Sequence, residues 1–80
     1  MDELFYSPLC PACQELLASP DFEARFGQAE KIDIGASMAN LKRFLTYRDS
    51  LEAFRPMKDL GRVGIPDRIS GGRNVEFFGA

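Results

Sequence analysis

The sequence predicts one small α/β domain over residues 1–80: a four-stranded mixed sheet, made of a β-α-β unit followed by a β-hairpin, with helices packed on it. Three observations predict it. Leu4-Phe5-Tyr6 is a short aromatic run of strand character, and Lys31-Ile32-Asp33-Ile34 alternates polar and apolar residues as a half-buried strand does. A stretch of good helix formers lies between them. Near the end, Gly71-Gly72 separates two apolar runs and fits a two-residue hairpin turn, where positive φ angles are required.

The elements follow in order. Leu4 to Tyr6 is the first strand, and Ser7-Pro8-Leu9 is a loop. Pro11 suits the first helical turn, because its missing N–H would have lacked a partner there. Gln14, Glu15, Leu16, Leu17 and Ala18 continue that helix. Ser19-Pro20 interrupts it, and Ser19 is the expected cap of a second short helix that runs to Phe26 and stops at Gly27. After the Lys31–Ile34 strand, Ser37 caps a helix whose apolar stripe is Met38, Leu41, Phe44 and Leu45. Ser50 starts another helical segment, with Leu51, Phe54 and Leu60 facing inward. Pro56 kinks or restarts it, and Gly61 ends it. Ile65 to Ser70 is the third strand, with Pro66 at its beginning. Val75, Phe77 and Phe78 lie on the fourth.

The 80 residues suffice for one modest core, and no repeat, linker or low-complexity tract divides them. No apolar run is long enough to span a bilayer as a helix. The start, Met1-Asp2-Glu3, is acidic, unlike a secretory signal, so the expected location is the cytoplasm. Net charge is −2, but residues 1–40 hold two basic and seven acidic side chains, whereas residues 41–80 hold eight and five. This split suits a small anionic ligand or an acidic partner, with an ordinary solvated surface as the plain alternative. The basic residues are scattered, which argues against nucleic acid. No hydrolase, phosphate-loop or metalloprotease pattern is present.

The chemistry concentrates at Cys10-Pro11-Ala12-Cys13, which holds both cysteines of the chain. A reducing compartment keeps most thiols reduced, so a close pair there is catalytic or metal-binding before it is structural. Zinc usually takes four ligands, and this chain has no histidine and no third cysteine. A metal would have to be shared with a second chain or completed by an outside thiol, and an iron–sulfur cluster would have to span a dimer. Two inert core cysteines are the third reading. Thiol exchange is favoured because Cys10 falls at the start of a helix, where unpaired N–H groups favour a thiolate, the nucleophilic form. Cys13 follows one turn later on the same side, placed to attack a mixed disulfide formed on Cys10.

Taken together, Leu4-Phe5-Tyr6 leading into Cys10-Pro11-Ala12-Cys13, the Val63-Gly64-Ile65-Pro66 run about fifty residues later, and the closing hairpin resemble the glutaredoxin family of the thioredoxin-fold superfamily. The likeness is greatest to short bacterial glutaredoxin-related proteins. These carry a stretch similar to Ile32-Asp33-Ile34 running into Ser37-Met38-Ala39-Asn40-Leu41-Lys42, then an extra helical segment before the proline. The resemblance implies a thioredoxin-like fold and a cis Ile65–Pro66 bond beside the cysteine pair. It implies that the Ile65 backbone pairs with glutathione or with a substrate peptide. Pro66, Pro11 and Tyr6 are the further candidate binding residues, although Tyr6 also reads as core with its hydroxyl at the surface.

The chain departs from the family pattern in three places. Ser7 stands where glutaredoxins have a carboxylate-binding lysine, and Arg62 and Arg43 are the candidates to replace it. Asp67-Arg68 follows the proline where the short relatives carry an apolar pair. An acid near Cys10 would oppose thiolate formation unless Arg68 pairs with it or both side chains point away. The sequence ends at Gly79-Ala80 without the family's closing helix, which would leave one sheet face barer; the expected state is a monomer or a weak homodimer.

The expected function is thiol–disulfide exchange. Cys10 attacks a protein or glutathione disulfide, Cys13 resolves the intermediate, and glutathione or a reductase returns the pair to its thiol form. No resident cofactor and no membrane partner is expected. The alternatives are a metal or iron–sulfur module built across a dimer, and a thioredoxin-fold adaptor of low activity.

Overall fold

The computed structural model describes residues 2–78. Strand β1 is Asp2–Tyr6, helix α1 Pro11–Leu17, helix α2 Phe22–Phe26, strand β2 Glu30–Asp33 and helix α3 Met38–Ser50. A 3-10 turn, Glu52–Phe54, leads into the short helix α4, Arg55–Asp59, and strands β3, Asp67–Ser70, and β4, Asn74–Phe77, close the chain. The four strands form one mixed sheet in the order β2-β1-β3-β4. β1 and β2 run parallel, with Phe5 opposite Ile32. β3 lies antiparallel to β1, with Asp67 opposite Phe5, and β4 pairs antiparallel with β3. The β-α-β unit and hairpin expected from the sequence are therefore present. No helix among the described residues is long and apolar enough to cross a membrane.

Alternation along β1 sends neighbouring side chains to opposite faces and so organises two cores. Phe5 joins Ile32, Phe44, Phe54 and Ile69 on the face covered by α3. The rings of Phe44 and Phe54 meet edge to face at 5.8 Å, and those of Phe54 and Phe77 at 5.2 Å. Leu4 points the other way, to Phe26 and Ala29, with Leu16, Phe22 and Phe78 packed around them. On that face the guanidinium groups of Arg25 and Arg68 lie 5.0 and 5.1 Å from the centre of the Phe26 ring. Gly79 and Ala80, on which the expectation of a missing closing helix rests, lie outside the described residues.

Several boundaries differ from the sequence-based expectations. β1 is longer, because Asp2 and Glu3 find partners at Ser70 and Ile69. The cap of α2 is Asp21, not Ser19, whose hydroxyl instead bonds the Asp21 carboxylate. Ser37 does cap α3, accepting from the Asn40 N–H at 3.1 Å. Met38 is 68% exposed, since Asn40 ties the first turn to the sheet through the Asp33 carbonyl; Leu41 is half-buried, and the stripe enters the core at Phe44 and Leu45. α3 continues through Ser50, which therefore ends a helix and does not start one. Pro56 sits in the first turn of α4, where its lack of an N–H costs nothing. Leu60 is 67% exposed, because it follows the end of α4 and the inward position on that helix is taken by the half-buried Met57. β3 begins after Pro66, which has no N–H for the ladder. The hairpin loop has three residues, Gly71, Gly72 and Arg73, with positive φ at both glycines.

Candidate functional site at the cysteine pair

The local chain pins Cys10 at the junction of loop and helix. The Cys10 N–H donates to the Ser7 carbonyl at 3.1 Å, and the Cys10 carbonyl accepts from the Gln14 N–H at 2.9 Å. The Gln14 side chain reaches back to the Pro8 carbonyl at 2.7 Å, and the Ser7 hydroxyl accepts from the Leu9 N–H at 3.2 Å. Cys10 is the extended N-cap residue, and Pro11 opens the helix. Both cysteines are free thiols; Cys10 is half-buried and Cys13 fully buried. The two thiols lie close enough to interact. Cys13 Sγ accepts the Ser7 N–H at 3.5 Å. Burial pushes the Cys13 thiol up to about 12, and the neighbouring Cys10 and Asp67 add to the rise, against the Ser7 N–H. The two cysteines thus differ in access: Cys10 is half-buried and Cys13 fully buried.

The second wall is the loop from Arg62 to Pro66. Arg48 of α3 staples it, donating Nε to the Val63 carbonyl at 2.9 Å and Nη2 to the Arg62 carbonyl at 2.8 Å. Gly64 is buried with φ of 98°, and a Cβ there would lie 3.1 Å from the Phe54 ring. Only glycine suits both the backbone and that approach. The Ile65–Pro66 peptide bond is cis, as the resemblance implies. The Pro66 carbonyl accepts from the Phe78 N–H at 3.0 Å, which locks β4 onto this wall. Neither the N–H nor the C=O of Ile65 bonds another described residue.

Between the walls lies a cleft of about 460 Å³, in the range of small-ligand sites. It brings together five of the seven residues predicted from the sequence: Cys10, Pro11, Arg62, Ile65 and Pro66. Cys13 is buried behind Cys10. Tyr6 does not line the cleft, because β1 ends there and its half-buried ring precedes the loop. Arg43 is also elsewhere, donating to Glu3 at 2.6 Å and to Glu30 at 3.0 Å across the sheet. Sequence reasoning missed Met57, Phe77 and Phe78 as cleft residues. Their aromatic or aliphatic character signalled only core.

Asp67 lies next to the site, as its position after Pro66 suggests, and its field reaches Cys13. It is fully buried beside Pro66, opposite Phe5, and neither carboxylate oxygen has a hydrogen-bond partner among the described residues. Arg68 does not pair with it. Strand alternation sends Arg68 to the other face, where it bonds Glu76 at 2.5 Å. Burial, reinforced by Glu3, pushes the Asp67 carboxyl up to about 8. The acid is therefore mostly neutral at pH 7, the cheaper form to bury. Among the described residues, no three histidine, cysteine, aspartate or glutamate side chains come together as a metal-binding group.

No protein-family model and no solved structure matches this chain. It is similar to a protein of Haemophilus influenzae described as an uncharacterized protein, with 38% identity over 64 residues, which is 79% of this chain and 71% of that protein. At that identity and coverage, the chain belongs to the same protein family as the Haemophilus influenzae protein.

Proposed function

We propose that the protein is a glutaredoxin-like thiol–disulfide oxidoreductase with a thioredoxin-like fold, acting in a reducing compartment such as the cytoplasm. One observation carries the reading. Two free thiols one helical turn apart, one half-buried and one fully buried, meet a cleft walled by a cis-proline loop with an unpaired Ile65 backbone. The strand order β2-β1-β3-β4 agrees with the proposed fold.

In the proposed cycle the Cys10 thiolate attacks one sulfur of a protein or glutathione disulfide. That S–S bond breaks, and the departing sulfur takes the electron pair and then a proton. The substrate's other sulfur is now joined to Cys10. Cys13 loses its proton to solvent and attacks the Cys10 sulfur, releasing the second substrate thiol. The substrate gains two electrons and two protons, and Cys10–Cys13 becomes a disulfide. An external dithiol or two glutathione molecules reverse that oxidation. Substrate backbone pairs with Ile65, which gives affinity independent of side chains.

The test is reduction of a small neutral disulfide, hydroxyethyl disulfide, coupled to excess dithiothreitol. The parent is expected to accelerate the reaction well above background, and Cys10→Ser to abolish the acceleration. Equal rates for parent and Cys10→Ser would remove the proposal.

A further inference from the structure

The large apolar side chains that are exposed among the described residues are Leu9, Met38, Leu60 and Val63; Val63 lines the cleft, and Leu9 and Leu60 are close in sequence to the cleft residues Cys10 and Arg62. Leu9 is 87% exposed and directly precedes Cys10. Val63 is 52% exposed and lines the opposite wall. Leu60 is 67% exposed, two residues before Arg62. Exposed apolar groups gathered around a reactive centre mark a surface that a partner covers. Inside the cleft, Met57, Ile65, Phe77 and Phe78 continue that character.

Charge completes the picture. Among the described residues, Arg62 is the only charged residue lining the cleft, no hydroxyl or amide side chain lines it, and Arg62 makes no ion pair. Glutathione carries two carboxylates and an ammonium group. The cleft offers a side-chain partner to one carboxylate and leaves the other two charges without one. An apolar protein segment with one acidic residue fits the same surface: its side chains cover Val63 and Leu9, its backbone meets Ile65, and its acid meets Arg62.

We infer that the substrate of this site is the disulfide of an extended, apolar protein segment with an acidic residue beside its cysteine, and not a glutathione disulfide. The inference rests on the thiol–disulfide reading. The bond changes are those of the cycle above, with the segment as the disulfide attacked and an external dithiol as reductant.

The test compares oxidation of the reduced protein by oxidised glutathione, by a disulfide-linked peptide with Leu and Val flanking its cysteine and one Glu, and by the same peptide with Ser for Leu and Val. Hydroxyethyl disulfide is the reference. The apolar peptide is expected to react at least about tenfold faster than oxidised glutathione or the serine peptide, as burial of one or two aliphatic side chains allows. Val63→Ser is expected to shrink the ratio of apolar to serine peptide several-fold. Arg62→Ala is expected to flatten the salt dependence of the apolar peptide's rate. Met38→Ser, the exposed apolar site away from the cleft, is expected to change nothing. Oxidised glutathione reacting as fast as the apolar peptide, or a ratio unmoved by Val63→Ser, would overturn the inference while reaction with hydroxyethyl disulfide left the redox reading standing. Failure to react with any disulfide, hydroxyethyl disulfide included, would remove both.

Discussion

Two carboxylates, Glu3 and Asp67, sit on the same face of the sheet, two ladder steps apart: Glu3 faces Ile69 and Asp67 faces Phe5. Glu3 is fully provided for. It accepts from the Arg43 guanidinium and the Tyr47 hydroxyl, each at 2.6 Å, and Arg43 also spans to Glu30. The Glu3 carboxylate in turn holds the proton on the Tyr47 hydroxyl and raises its pKa. Asp67 has more burial and no partner. The difference follows position. Glu3 lies where α3 crosses the sheet and can send polar side chains down to it. Asp67 lies against the cis-proline wall and the buried Cys13, where the chain supplies no donor. At the first place local and tertiary preferences agree. At the second a buried orphan acid, a buried thiol and exposed apolar side chains occur together, the kind of conflict that functional sites carry.

The largest expected effect tests the orphan. The carboxyl of Asp67 is raised from 3.8 to about 8 in the fold, so the folded state holds its proton more tightly than the unfolded chain. Stability from this group is complete below the unfolded value and is lost as pH rises through about 4 to 8. Asp67→Asn cannot ionise and escapes that loss. Urea titrations of Asp67→Asn and parent should differ little near pH 4, and the variant should gain on the order of 3 kcal/mol relative to parent by pH 8, the full shift being trimmed by relaxation around the charge. A pH-independent difference would mean that Asp67 finds a partner in solution.

The partnered carboxylate should behave in the opposite sense. Glu3→Ala leaves the half-buried Tyr47 hydroxyl without its acceptor and Arg43 with Glu30 alone, and should cost about 1–2 kcal/mol in the same titration at pH 7. Tyr47→Phe removes only one hydrogen bond and should cost roughly 1 kcal/mol. Arg43→Ala acts on an exposed cation and should cost less than about 1 kcal/mol, with a difference that fades in high salt. If Glu3→Ala stabilised the protein, the contrast between the two carboxylates would collapse.

The sequence made one of these two regions far more legible than the other. β1, the start of α1 at Pro11, the Ser37 cap and the glycine turn were readable because each is decided by neighbours a few residues away. The first cleft wall was readable for the same reason, as Cys10 and Cys13 share one helix. The second wall depends on contacts distant in sequence: Arg48 holding the Arg62–Pro66 loop, Phe54 under Gly64, and Phe78 bonded to Pro66. For Asp67 the sequence left two readings open: pairing with the Arg68 that follows it, or both side chains pointing away from the site. Strand alternation separates adjacent residues, and that rule, applied at Asp67, would have shown the acid to be alone. Met38 and Leu60 matched helical spacing, yet the first turn of α3 and the last residue after α4 lie outside the packed faces.

The central claim is the asymmetry of the two thiols: Cys10 meets the substrate and Cys13 resolves it. Trapping tests it most directly. Reduced Cys13→Ser and Cys10→Ser proteins are each mixed with a disulfide-linked peptide and analysed by mass spectrometry without reductant. The account predicts a stable mixed disulfide on Cys10 in Cys13→Ser and no adduct on Cys13 in Cys10→Ser. Adducts on both proteins at similar rates, or on Cys13 alone, would contradict it.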